Sequence, residues 1–502
     1  MTYSVVELEK KYTGGSLTPK QVIDECLDSI EAMDSVVGAW QAVYAEEARA
    51  AAEIATAEIA SGTRKGPFHG VPFALKDIVE VEGKLTAAGC AEWKDRQSIV
   101  TAEVAKRVID SGGILIGKTK TVEFAFGGWG TNQRMGTPHN PWDKDVARVT
   151  GGSSSGSGAA VASGMVPCAI GTDTGGSVRL PAAFCGIVGL KTTEGLLPTD
   201  GIVTLSHTLD TPGPIARSVA DAAVMYDAMS IDKLNVDLSA GISGIRIGSL
   251  SDEEREGIDP EQLHAYDRAL DQIADLGADI VQFEPTKTFE EMKEAAAVIL
   301  TAEGYFHHGA LMDNPESLVD ENVRSRFVAG AAISSAQYVG ALLQRDSDRQ
   351  SFSLAIQNID ALVMPTTPML PLPVAEADEQ STPARFTRAI NYLSMCATSI
   401  PSGVSSQGLP TSLQIACVGG NESVCMQISA AYERARGDMP RPRYSLIEVE
   451  RRNPRCNWCG YEPKMERRLL RIWRFLPAKK FVATRPRFCR LMGPYLELLN
   501  PK

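Results

Sequence analysis

Two glycine–serine clusters frame the residues best suited to chemistry. Residues 150–181 read TGGSSSGSGAAVASGMVPCAIGTDTGGSVRLP, with Ser153 in the first cluster and Ser177 closing the second, 24 positions further on. Glycine is costly in ordered backbone and is kept where the chain turns sharply or lets another group approach. Gly175 and Gly176, directly before Ser177, can present backbone N–H groups to a developing oxyanion. A serine hydroxyl is a poor nucleophile until a base takes its proton. A lysine can be that base when burial lowers its pKa, and Lys76 sits in the apolar run PFALKDIV. Serine, lysine and paired glycines would together serve acyl transfer. The competing reading is a flexible Gly/Ser linker. It is opposed by Ala159, Ala160, Val161, Ala162, Met165, Val166 and Ile170, which lie between the clusters and are expected to be buried.

Other chemistries find less support. Gly152 to Gly156 matches G-x-S-x-G, but that elbow needs a preceding strand, and residues 145–150 are short and polar. Residues 112–119 (GGILIGKT) match G-x-x-x-x-G-K-[ST], but residues 114–117 within them read as a strand rather than a loop entering a helix, which argues against a P-loop enzyme. None of His69, His139, His207, His264, His307 and His308 falls in a metal-ligand pattern, so no zinc site is expected. His307 and His308 read as a surface pair on a helix. Cys456 and Cys459 form a lone C-x-x-C without a second pair, which is weak evidence for metal or redox work.

The elements that must position these residues alternate between strands and helices. Thr18 and Pro19 read as an N-cap and a first helical residue. Helices are expected over 43–59, 101–113, 217–229, 259–276, 288–300, most of 318–343, 386–396 and 423–434. Strands are expected near 73–79, 114–117, 187–190, 245–248, 361–364 and 412–416, and Pro212-Gly213-Pro214 reads as a turn. From this local pattern alone, Lys76 reads as a surface lysine at a strand end, paired with Asp77. A buried lysine of lowered pKa is the alternative. Trp129 could line a pocket, with loop packing an equal reading. The pattern predicts an α/β fold: one large domain around a mixed sheet.

Composition limits the function classes. A 44% hydrophobic content with 22% charged residues suits a globular chain with a sizeable core. The net charge of −12 argues against nucleic acid as a partner. No apolar run is long enough to span a membrane, and no leader pattern opens the chain. Cys26, Cys90, Cys168, Cys185, Cys396, Cys417 and Cys425 read as reduced core residues, and a cytoplasmic location is expected. Charge is unevenly spread. Residues 441–502 carry 16 Lys and Arg against 5 Asp and Glu, a net +11 that leaves −23 for the remainder. Residues 436–502 therefore read as an atypical basic tail without an assigned role.

At these residues the chain resembles the amidase signature family. The resemblance rests on GVPFALKD (70–77), GGSSSGSGAAVASG (151–164), GTDTGGSVRLPAAFCGIVGLK (171–191), DTPGPIARSVADAA (210–223), DALVMPTTP (360–368) and GLPTSLQIA (408–416). These segments keep the family's order over roughly residues 1–435, and the resemblance implies that this stretch is a single domain whose central mixed sheet is covered by helices on both faces. The resemblance implies a Ser–cis-Ser–Lys triad with Ser177 as nucleophile, Ser153 as the bridging serine behind a cis Gly152–Ser153 peptide, and Lys76 as base. It implies an oxyanion hole from the backbone N–H groups of Thr174, Gly175, Gly176 and Ser177. Asp173 and Arg179 flank the nucleophile, and an ion pair shaping the loop is one reading of them. The implied activity is hydrolysis of a small-molecule amide, without metal or organic cofactor. A homodimer is compatible with it. Ser155 stands where many relatives carry glycine. The segment EGLLPTDGIVTLSHTLD (194–210) departs from the pattern of the glutamine-fed chain of tRNA-dependent amidotransferases, which disfavours that role. The alternatives remain that amidotransferase chain, a biuret- or allophanate-type urea-amide hydrolase, or a non-catalytic member of a complex. Pocket walls are expected near Trp129 and from helices around 300–345.

Overall fold

A computed structural model describes residues 3–442. The strands are β1 (Trp40–Val43), β2 (Pro72–Lys76), β3 (Ile114–Thr119), β4 (Cys168–Asp173), β5 (Val188–Lys191), β6 (Thr211–Ala216), β7 (Arg246–Leu250), β8 (Asp279–Phe283), β9 (Ala361–Pro365), β10 (Cys396–Val404) and β11 (Pro410–Cys417). They form one mixed sheet in the order β1-β3-β2-β4-β6-β5-β10-β11-β9-β7-β8. β2 runs parallel to both β3 and β4, whereas β4, β6, β5, β10, β11 and β9 are antiparallel in succession. Every residue of β2, β4, β5, β6, β9 and β11 is buried. Successive side chains of a strand point to opposite faces, so burial of all of them means that helices cover both faces. This is the single large α/β domain expected from the sequence. Among the described residues, no single helix is long and apolar enough to cross a membrane.

The helices follow their local signals. Thr18 caps helix Pro19–Val37 by accepting from the Gln21 amide, with Pro19 in the first turn, and Val22, Ile23, Cys26, Leu27 and Ile30 form its buried stripe. Helix Ser155–Ala162 is buried along its whole length. Its small residues let it pass close to helix Arg179–Cys185, where a Cβ added at Gly158 would come within 2.8 Å of Pro181 Cβ. Ala159, Ala160, Val161, Ala162, Met165, Val166 and Ile170 are all buried, which removes the linker reading.

Several local expectations give way to tertiary context. Residues 212–214 are not a turn but part of β6, paired along its length with β4. The Pro212 carbonyl accepts from Thr192 Oγ1, so its missing N–H faces the β5 side, where β6 pairs only through Ile215 and Ala216. The ladder to β4 is thereby spared. Cys396 is not helical: helix Arg385–Tyr392 stops earlier and Cys396 opens β10, a nine-residue strand. The helical stretch around 318–343 is two helices, Glu321–Val328 and Ser335–Ile356, separated by a short 3-10 turn. Helix Phe289–Met312 continues well past Leu300. Cys90, Cys168, Cys185, Cys396, Cys417 and Cys425 are buried free thiols, and Cys26 is buried too. The Cys456–Cys459 motif and the basic tail from residue 443 onward lie outside the described residues.

Candidate active site

The site lies at the carboxyl ends of β2 and β4. Lys76 ends β2, and the register Leu75↔Ile170 aligns it with the last residues of β4. Lys76 is fully buried, and its Nζ donates to Ser153 Oγ at 2.6 Å and to Thr172 Oγ1 at 2.7 Å. The surface reading of Lys76 is therefore corrected. Its neighbour Asp77 instead faces the buried Lys118, at 3.7 Å. The reason is parallel pairing on both sides of β2, which leaves its last residue no route to solvent. Burial pushes the Lys76 ammonium down to about 7, against the opposing pull of Asp210 and Asp173. A lysine so placed is substantially neutral near physiological pH and can accept a proton.

Ser153 follows a cis Gly152–Ser153 peptide, and its carbonyl accepts from Thr121 Oγ1 and from the Val122 amide. Ser177 sits in the turn between β4 and helix Arg179–Cys185, and the Ser154 amide donates to its carbonyl at 3.3 Å. This contact brings the two clusters together. Ser177 lines a cavity of about 320 Å³ whose walls include Gly128, Leu300, Thr301, Arg326 and Arg388. Its hydroxyl makes no hydrogen bond among the described residues. Ser155, the departure from glycine noted above, is buried, and its Oγ has no hydrogen-bond partner among the described residues.

The loop before Ser177 is shaped by a buried ion pair. Arg179 donates to Asp173 from Nε at 3.0 Å and from Nη2 at 2.9 Å, and both side chains are fully buried. Arg179 also donates to Gln414 Oε1, Asn391 Oδ1 and the Thr387 carbonyl. Asp173 in turn accepts from the amides of Gly176 at 2.7 Å and Val178 at 3.1 Å. Burial alone would raise the Asp173 carboxyl, but Arg179, helped by the Lys191 charge and the Asn391 side chain, outweighs it and holds it well below the usual carboxylate range. Gly176 is held at φ +127°, and a Cβ there would meet Thr387 Oγ1 at 2.3 Å, so only glycine fits. Because its N–H is taken by Asp173, Gly176 leaves the expected set of oxyanion donors. The amides of Thr174, Gly175 and Ser177 donate to no acceptor among the described residues.

Removing one member of a buried ion pair strands the other charge, at a cost of about 3–5 kcal/mol. Arg179→Leu is accordingly expected to lower unfolding free energy by about that much, read by urea denaturation. A loss below about 1 kcal/mol would contradict the bonding described here, since that is the size of a solvent-exposed pair.

Expectations for three other residues change. Trp129 does not reach the cavity: it is buried against Val149 and Phe184, with Nε1 donating to the Asp378 and Ser381 carbonyls. The cavity wall here comes from its neighbours Gly127 and Gly128. His307 and His308 are not a surface pair. His307 is exposed, but His308 is buried, stacks on Phe124 at 4.2 Å and bonds through Nε2 to the Thr204 carbonyl at 2.7 Å. Helical geometry sends adjacent residues in different directions, and only one of these faces the core. Among the described residues, no group of three or more His, Cys, Asp and Glu could hold a metal ion.

Two participants escaped the sequence reading. Thr172 is the second acceptor on Lys76. Asp210 accepts from Thr174 Oγ1 and from the Leu205 and Ser206 amides, with burial pushing its carboxyl up to about 6. Asp210 opens the DTPGPIARSVADAA segment, so its position was signalled, but nothing local tied it to Lys76.

Fold and site place the protein among the hydrolases of amide C–N bonds. It belongs to the amidase family, whose model matches residues 21–426. The chain is 34% identical to the A subunit of glutamyl-tRNA(Gln) amidotransferase from Acidothermus cellulolyticus, covering 86% of this chain and 94% of that protein. It is 32% identical to 2-amino-5-chloromuconic acid deaminase of Comamonas testosteroni, covering 82% and 91%. The native peptide amidase of Stenotrophomonas maltophilia superposes with a TM-score of 0.76 at 26% identity, covering 88% and 99%.

Proposed function

We propose that the chain hydrolyses a small amide to a carboxylic acid and ammonia or an amine through an acyl-enzyme on Ser177. The observation that carries this reading is the fully buried Lys76, 2.6 Å from Ser153 Oγ, beside a cavity lined by Ser177. The bond from Nζ to Thr172 Oγ1 occupies one lysine proton, which leaves the lone pair of the neutral amine able to accept from Ser153. Lys76 takes the Ser153 proton as Ser153 takes that of Ser177. Ser177 Oγ then attacks the amide carbon, and the oxyanion forms against the open amides of Thr174, Gly175 and Ser177. The relay returns a proton to the leaving nitrogen as the C–N bond breaks. Water, deprotonated along the same path, attacks the ester and releases the acid.

A second reading is the glutaminase-type chain of a tRNA-dependent amidotransferase. It is favoured by curated relatives that are A subunits of glutamyl-tRNA(Gln) amidotransferase, among them one from a Cyanothece strain at 31% identity over 98% of its length. The divergent 194–210 segment weighs against it. Assaying the lone chain on glutamine and on a panel of aliphatic amides, aryl amides, ureas and esters separates the two. The first reading expects turnover of panel amides without partner chains. Glutamine hydrolysis appearing only when partner chains are added would select the second. The same preparation, sized in solution, tests for the homodimer.

A further inference from the structure

The catalytic cavity holds a cation that the proposed chemistry does not use. Arg388 lies on helix Arg385–Tyr392 and lines the cavity together with Thr174, Gly175 and Ser177. Its stem rests on the loop that carries Ser177: a Cβ added at Gly175 would lie 3.3 Å from Arg388 Nε and 3.5 Å from Cγ. Nε is buried without a hydrogen-bond partner, and the guanidinium makes no ion pair among the described residues.

The neighbouring charges are already committed. Arg326, which also lines the cavity, is bound to Glu379 and to the Phe126 carbonyl. Arg385, one turn earlier on the helix, pairs with Glu254 at 2.8 Å. Glu290 and Glu294, the acids whose fields reach Arg388, both contact Lys293. Burial pushes the Arg388 guanidinium down only to about 10, so it stays charged at neutral pH. Arg388 is half-buried with its Nε sealed from solvent, and a charge drawn out of water without a partner is costly. A flat fork of N–H donors is matched by a carboxylate, which can accept two parallel bonds.

We infer that Arg388 binds a carboxylate on the substrate, so that the amide hydrolysed is the monoamide of a dicarboxylic acid or a similarly short acid-bearing amide. The acid must lie a few bonds from the scissile carbonyl, because Arg388 abuts Gly175, two residues before the attacking serine. This inference rests on Ser177 being the nucleophile, and it adds to that reading the class of substrate.

The test compares wild type with Arg388→Met and Arg388→Lys on matched amides, succinamic and glutaramic acid against butyramide and valeramide. Wild type is expected to prefer the acid-bearing member by about tenfold or more in kcat/KM, the scale of one charged hydrogen-bonded contact. Arg388→Met should erase the preference by raising KM for the acid-bearing amides, with thermal stability equal or higher. Arg388→Lys should keep part of the preference. A second readout is labelling of Ser177 by a fluorophosphonate. Succinate or glutarate should slow it in wild type and not in Arg388→Met. Equal protection of both proteins, no protection of either, or an unchanged preference in the variant overturns the assignment to Arg388. Absence of any label on Ser177 overturns the nucleophile reading instead.

Discussion

Ser177→Ala is expected to abolish amide turnover while leaving the fold intact. The hydroxyl makes no hydrogen bond among the described residues and borders the cavity, so its loss removes no structural contact. The carbonyl of residue 177 keeps its bond from the Ser154 amide, because that bond uses backbone alone. The loss in kcat should be on the order of 10⁶, the scale for removing a nucleophile from a serine hydrolase. Two measurements check this: single-turnover kinetics on any accepted amide, and intact-mass detection of the acyl-enzyme. Turnover within about tenfold of wild type, or an acyl adduct on Ser154 or Ser155, would sink the assignment.

Replacing Lys76 should be the next most damaging change. Lys76→Met keeps the length and apolar stem of the side chain but leaves Ser153 without a proton acceptor. General-base loss costs about 10²–10⁴-fold. Lys76→Arg should be equally poor, because a guanidinium stays protonated at every working pH. In the relay, Lys76 and Ser177 act as one unit, so the double variant Lys76→Met, Ser177→Ala should be no slower than Ser177→Ala alone.

The same residue predicts a pH profile. In the proposed relay the proton acceptor is the neutral amine, and the Lys76 pKa is lowered to about 7. Neutral amine increases as pH rises, so kcat/KM should climb through that region and level off above it, and activity should fall on the acidic side. Asp210 shapes the lower end. Its carboxyl, raised to about 6 by burial, becomes an anion above that pH and then favours the charged lysine. Asp210→Asn is therefore expected to move the rising limb of the profile to lower pH. A limb that stays in place or moves upward would show that Asp210 does not couple to Lys76.

Much of this protein is determined locally. Glycine and small hydroxyls at 150–181 mark where the chain turns and packs closely, although helix Ser155–Ala162 and β4 in that stretch are not among the elements expected from the sequence. Periodicity located most helices, because an amphipathic stripe is a property of the segment itself. What failed locally was what neighbours decide. Pro212-Gly213-Pro214 carries turn residues, yet it is a strand because β4 supplies a full partner ladder. Cys396 reads as the end of a helix, yet β11 and β5 draw it and its successors into the sheet.

The site divides the same way. Ser177 and its glycines are recognisable from residue types within a few positions, since a nucleophile turn is local geometry. Lys76 is not. Beside Asp77 it looks like half of a surface pair, and only the burial of β2 between β3 and β4 gives Asp77 to Lys118 and Lys76 to Ser153 and Thr172. A lowered lysine pKa is a property of the dielectric around the residue, and tertiary packing creates that dielectric. The same holds for Gly176, whose N–H is claimed by a carboxylate fixed in turn by Arg179. The loop and its proposed nucleophile are thus written in the chain, whereas the lowered pKa of the proposed base, the open amides before Ser177 and an Arg388 unpaired among the described residues exist only once the sheet and its covering helices have closed around them.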